Sequence, residues 1–167
     1  MVDHLLNGTR SADAPLLLHR TPVELHMVLA AAVQSCAAVA EPRGVEVVVE
    51  PATQASVVSV DAARLTQAVQ QLVRNAILFT PPGGTVTVRA VYTPAPTIEV
   101  ADTGVGIPAD ELPYVFQRFF RGRHARRQAV PGVGLGLHIA QEAAAAHGGR
   151  ITLSSAGAGT TARLTLP

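Results

Sequence analysis

Lysine is absent from this 167-residue chain, so all 13 of its cationic Lys/Arg positions are arginine. A P-loop ends in Gly-Lys-Ser/Thr, and a chain without lysine cannot supply one. Cysteine occurs once, as Cys36 inside the apolar stretch VLAAAVQSCAAVA. A lone thiol forms no internal disulfide, and in that setting it is expected as a small core residue rather than a reactive group. Net charge is scarce too, at +1. Bulk electrostatics therefore offers no attraction for nucleic acid or an anionic membrane. No apolar run is expected to span a bilayer, and the N-terminus lacks a signal-peptide design. What the chain does have is apolar side chain, 48% of its residues, enough at this length for one domain with a real core.

The opening MVDHLLNGTR suggests the last turns of an amphipathic helix, a stub (residues 1–14) of something that precedes the domain at 15–167. LLLHR is expected as a short strand. Thr21-Pro22-Val23-Glu24 carries a helix-start pattern: Thr as N-cap, Pro at the first position and Glu as capping-box partner. That helix is expected to run to about Ala40. VEVVVE and SVVSV predict two strands, and Asp61 predicts a cap for a helix whose apolar positions Leu65, Ala68, Val69, Leu72, Val73, Ala76 and Ile77 repeat at helical spacing. TVTVRAVY and TIEVAD flank a Thr-Pro-Ala-Pro turn, and RITLSS and TARLTL flank a glycine turn, so two hairpins are expected. Residues 103–133 are loop-rich, with a short helix near Asp110–Phe116 and a longer one over 135–147. Together these predict an α+β fold, a two-layer sandwich of one mixed sheet with helices packed on one face.

One glycine run stands out: PGVGLGL places Gly132, Gly134 and Gly136 at alternate positions just before a predicted helix. Glycines admit positive φ and close backbone approach, and a helix N-terminus presents free N–H groups to an anion. Neither the P-loop nor the GxGxxG dinucleotide pattern fits this run.

Three other segments accompany it: Asn75-Ala76-Ile77-Leu78-Phe79, Asp102-Thr103-Gly104-Val105-Gly106-Ile107-Pro108 and Phe116-Gln117-Arg118-Phe119-Phe120-Arg121. In this order and at these intervals they resemble the N, G1, F and G2 boxes of the ATP-binding catalytic domain of bacterial two-component sensor histidine kinases. Gly157-Ala158-Gly159-Thr160 resembles the remaining G3 box. The resemblance runs from about Thr21 to Pro167. It implies a GHKL-type two-layer α/β sandwich with three main helices, a mobile ATP lid over 117–133, and ATP with Mg²⁺ as ligands.

Residue by residue, the resemblance implies Asn75 as the Mg²⁺ ligand, a hard neutral oxygen suited to that ion. Asp102 is implied as the acceptor for the adenine amine, with Gly104 and Gly106 letting the backbone lie against the base. Ile107 and Phe79 would wall the pocket, Thr160 would bond near the adenine, and the run Gly132, Gly134, Leu135, Gly136 and Leu137 would cradle phosphate. With no lysine available, an arginine must meet the γ-phosphate. Arg121 matches the family position, with Arg118 as second choice. His138 and His147 are expected on the surface.

Two positions depart from the family's pattern. Leu78 stands where a Lys or Arg is usual, and Gln71 stands where the kinases carry Asn. The ATPases of this fold carry a Glu at that point, and an amide is no base at any pH. A dedicated ATP hydrolase is therefore disfavoured. No histidine here is followed by the acidic residue of a phosphoacceptor. The resemblance thus implies a kinase half whose partners, a dimerisation domain bearing the histidine and a response regulator, lie elsewhere. The expected setting is a cytoplasmic domain of a membrane-anchored homodimer, the fragment itself monomeric and touching no membrane. A nucleotide-binding module without transfer activity is the alternative.

Overall fold

The computed structural model describes residues 17–167; the expected stub at 1–14 lies outside them. In chain order the elements are β1 (Thr21–Glu24), α1 (Leu25–Arg43), β2 (Glu46–Val49), β3 (Val57–Val60), α2 (Ala62–Leu78), β4 (Thr85–Val91) and β5 (Thr97–Asp102). A 3-10 turn at Leu112–Tyr114 follows, then α3 (Arg123–Arg127), α4 (Gly136–Ala146), β6 (Arg150–Ser154) and β7 (Thr160–Thr165). The main sheet has five strands in the order β2-β4-β5-β7-β6, parallel between β2 and β4 and antiparallel elsewhere.

One face of that sheet buries Val86, Val88, Ile98, Val100, Ala162 and Leu164 in the same core as Leu25, Leu29, Leu65, Leu72, Ile77 and Ala140 of α1, α2 and α4. Period-2 alternation on β4 and β7 and helical spacing on α2 produce these faces. The opposite face carries Arg89, Glu99 and Arg163 side by side, with Glu99 accepting from Arg89 Nε at 2.6 Å and from Arg163 Nε at 2.7 Å. Two layers with helices on one face agree with the sequence reading.

Several expectations are corrected. Thr21–Glu24 is a strand, not a helix start, and it pairs antiparallel with β3 from Thr21↔Val60 to Glu24↔Val57. The β-branched partner offers a full ladder, and that tertiary pairing overrides a local capping pattern. Pro22 is tolerated because a two-stranded ribbon does not need every N–H. The strands therefore form two sheets rather than one. Leu17–Arg20 is not a strand; there, the His19 N–H donates to Asp61 Oδ2 at 3.0 Å and Arg20 donates to the Ser59 carbonyl. Helix α1 continues past Ala40 to Arg43, with Pro42 in its last turn, and stops at Gly44, whose φ of 64° closes the end. By length and composition α1 is apolar enough to cross a membrane, which the sequence reading had excluded. It is a core helix, burying Leu25, Val28, Leu29, Ala32, Cys36 and Ala40. Burial also raises the pKa of the Cys36 thiol.

Asp61 caps α2 as expected, accepting from the Arg64 N–H at 3.1 Å. His147 is not on the surface. It is 1% exposed, with Nε2 accepting from the Asp61 N–H at 3.0 Å and Nδ1 2.7 Å from the Ala143 carbonyl. An acceptor Nε2 makes Nδ1 the protonated nitrogen, so the ring locks the end of α4 to the start of α2.

Candidate functional site

A cavity of about 430 Å³ opens between the second half of α2, the segment after β5, residues 120–137 and the start of β7. Asn75, Phe79, Asp102, Gly106, Ile107, Arg121, Gly132, Gly134, Leu135, Gly136, Leu137 and Thr160 line it. Gly104 and Arg118, also expected there, do not.

Asp102 ends β5 in register with Thr160 of β7. Its Oδ1 accepts from the Gly104 N–H at 2.8 Å and from the Thr160 N–H at 3.2 Å. Burial raises the carboxyl pKa, and the two N–H bonds only partly oppose that rise. Gly104 lacks a side chain for a reason within the protein: a Cβ would lie 2.4 Å from the Phe79 carbonyl. Gly106, at φ +74°, would drive a Cβ to 2.4 Å from the Gly157 carbonyl. Both glycines thus answer to neighbouring backbone, a requirement additional to any contact with a base.

Ser155 escaped the sequence reading. Its hydroxyl accepts from the Ile107 N–H at 2.9 Å and donates to the Gly159 carbonyl at 2.7 Å, tying the loop after Asp102 to the glycine turn. A hydroxyl just before Gly-x-Gly was the available signal. Gly159, at φ +81°, packs under Asp102, where a Cβ would meet its carbonyl oxygen at 2.5 Å.

At the other end, Asn75 sits in the last turn of α2, and no hydrogen bond to another described residue engages its side-chain amide. Gln71, one turn earlier, lies beside Gly136, whose Cβ would approach Gln71 Oε1 to 2.9 Å. The glycine run does open a helix, since α4 begins at Gly136 with no side-chain cap at Leu135. Gly134, at φ +79°, fits against the Phe120 carbonyl, whereas Gly132, at φ +125°, meets nothing and is required by conformation alone.

The arginines divide. Arg121 lines the cavity, with Nη2 donating to the Ala125 carbonyl at 3.4 Å and to the Val130 carbonyl. Arg118, the second choice for a phosphate contact, lies outside. Its Nε donates to His138 Nε2 at 2.8 Å and its Nη2 reaches Glu142 at 3.4 Å. The spacing of α4 places both partners on one face, and that pair holds the guanidinium on the surface. Arg123 Nη2 donates to both carboxylate oxygens of Asp110 at 2.9 and 3.0 Å, and its Nε donates to Glu111 at 2.9 Å. These bonds fasten α3, a helix absent from the sequence reading, to the loop before it. His124 of α3 faces Phe79 with ring centroids 5.8 Å apart. Among the described residues no cluster of three His, Cys, Asp or Glu could hold a metal.

Residues 60–167 match the family model of histidine kinase-, DNA gyrase B- and HSP90-like ATPases. Over 170 aligned residues covering 100% of this chain, the sensor-like histidine kinase SenX3 of Mycobacterium tuberculosis H37Rv is 35% identical, and the sensor protein CutS of Streptomyces coelicolor is 37% identical. The chain spans 41% and 40% of those proteins. Among solved structures, the mycobacterial sensor histidine kinase MprB superposes with a TM-score of 0.72 at 32% identity, over 89% of this chain and 97% of that one. Full-length ShkA in complex with AMPPNP superposes with a TM-score of 0.81 at 26% identity, over 92% of this chain and 32% of that one. The chain belongs to the histidine kinase-, DNA gyrase B- and HSP90-like ATPase family, with the fold of a histidine kinase catalytic domain.

Proposed function

We propose that this chain binds ATP with Mg²⁺ and donates the γ-phosphoryl to a histidine on a dimerisation domain outside it, from which a response regulator is served. The observation that carries this reading is one cavity with a half-buried carboxylate, Asp102, at one end and, at the other, the arginine Arg121 and the Asn75 amide, which no described residue engages. Asp102 has acceptor capacity left after its two N–H bonds; it reads the exocyclic amine of adenine, with Thr160 beside it. Ile107 and Phe79 wall the base. Asn75 fits a magnesium that keeps waters and phosphate oxygens for its other positions, because a neutral oxygen with no protein partner suits that ion. Magnesium, when bound, neutralises phosphate charge. Arg121 meets the γ-phosphate, and the N–H groups at the start of α4 meet the other phosphates. Little covalent chemistry falls to these residues, and positioning with charge neutralisation supplies the rate. Gln71 activates no water, which favours transfer over hydrolysis.

The parent protein is read as a homodimer anchored in the plasma membrane, with this domain in the cytoplasm. Leu78 favours one second reading, a nucleotide-binding regulatory module without transfer. Titration calorimetry tests the first step: absence of magnesium-dependent binding at millimolar ATP overturns the kinase assignment. Adding the parent's histidine domain in trans then decides between the two readings, because only the kinase yields an acid-labile phosphohistidine.

A further inference from the structure

Leu78 ends α2 on the wall of the cavity, 9% exposed, and packs with Ala125 at 4% and Val130 at 7% in a small apolar cluster separate from the main core. Ala125 lies in α3 and Val130 two residues past its Gln128 cap. After the Gln128 cap, Ala129 adopts φ 49°, and the Val130 N–H returns to the Ala125 carbonyl at 3.0 Å. Helices that end this way usually add an apolar contact between the two bonded residues; here Leu78 completes that contact from outside the lid.

The same two residues hold Arg121. Its Nη2 donates to the carbonyls of Ala125 and Val130. A guanidinium carries five N–H groups, and those on Nε and Nη1 meet no acceptor among the described residues. One line of contacts thus runs from the Leu78 side chain through Ala125 and Val130 to the arginine.

We propose that Leu78 is a positioning residue for Arg121: by packing the end of α3 onto the end of α2, it holds the lid arginine with donors left for a terminal phosphate. The inference rests on reading the cavity as an ATP site. It assigns the departure from the family's usual basic residue a constructive role. A cation at 78 would have to enter a nearly dry cluster, and it would loosen the lid rather than strengthen the site.

Two measurements on the whole chain test this. In the first, AMP-PNP and ADP are titrated with magnesium into wild type, Leu78→Ala, Leu78→Met, Leu78→Lys and Arg121→Ala. Wild type should prefer AMP-PNP, and Leu78→Ala should lose about tenfold of that preference, as expected for a displaced bond to a charged group, with ADP affinity falling much less than AMP-PNP affinity. Leu78→Met should restore the preference, Leu78→Lys should behave as Leu78→Ala, and Leu78→Ala should add nothing to Arg121→Ala. In the second, trypsin cleavage at Arg126 and Arg127 is followed without nucleotide. Leu78→Ala should be cut severalfold faster while the main melting transition stays in place. A wild-type preference and cleavage rate in Leu78→Ala overturn the proposal. So does an equal loss of AMP-PNP and ADP affinity, or a wild type indifferent between them. If wild type binds neither nucleotide, the ATP reading fails, whereas the cleavage rates still decide whether Leu78 holds the lid.

Discussion

The two ends of the cavity are built by opposite means. Around Asp102 the contacts are backbone ladders and short hydrogen bonds: β5 pairs with β7, Ser155 bridges two loops, and added Cβ atoms at positions 104, 106 and 159 would sit 2.4 or 2.5 Å from backbone oxygens. Around Arg121 the contacts are a five-residue helix, one small apolar cluster and half-exposed ion pairs from Arg123. Exposed pairs contribute only about 0–1 kcal/mol each. Phe119, which begins this segment, is 68% exposed at φ 62° and is held by its N–H bond to the Gly134 carbonyl. A firmly built end beside a weakly fastened one suits the proposed nucleotide site, with the base at the first and the phosphates at the second, because such a site must recognise one ligand and still open and close.

Four changes would break or sharpen that contrast. The largest effect belongs to Gly104→Ala, which forces a carbon against the Phe79 carbonyl. Calorimetry should find no nucleotide binding, and the melting temperature should fall by several degrees, as about 1–3 kcal/mol of overpacking implies for a domain of this size. Next is Asp102→Ala, which should weaken ATP, ADP and adenosine alike by roughly 10–100-fold, the worth of a bond to a charged group. Unequal losses would mean that Asp102 does not face the base.

The same carboxylate should make base recognition acid-labile. With its pKa raised by burial, Asp102 protonates above the ordinary aspartate value of about 3.9. Adenosine affinity should therefore fall on acidification before the fold does. Protonation of a group whose pKa is raised does not destabilise the native state, since its ionised form is the one burial penalises. Asp61 is held low by the His19 and Arg64 N–H groups. Burial raises Glu99, but bonds from Arg163 and Arg89 more than offset it and leave its pKa lowered. Stability from these two is present above about pH 4 and lost only as pH falls through their lower folded values. Far-UV circular dichroism and adenosine titration from pH 7 to 3 should separate the two losses; simultaneous loss would refute the ordering.

The smallest effect is expected at Arg123→Ala. Removing its bonds to Asp110 and Glu111 should change the melting temperature by a degree or two, since exposed pairs are worth about 1 kcal/mol or less. Amide exchange in residues 123–130 should nevertheless quicken. Unchanged exchange would show that Leu78, Ala125 and Val130 hold the lid alone.

Much of this was legible in the sequence because it is local. The alternation on β4 and β7, the helical spacing on α2, the Asp61 cap and the make-up of each glycine box each involve neighbours within a few residues. Those patterns determined the layered α+β class, and the resemblance of the boxes to the kinase family pointed to most of the cavity lining. Tertiary structure alone decided the rest. Thr21–Glu24 became a strand because β3 offered it a partner. His147 went inside because Asp61, 86 residues away, donates to it. Arg118 was drawn off the cavity by His138 and Glu142, while Arg121 was kept on it by two lid carbonyls. The lack of lysine called for an arginine and the resemblance ranked Arg121 ahead of Arg118, but where each guanidinium lies was decided by its acceptors, and only the folded chain sets those in place.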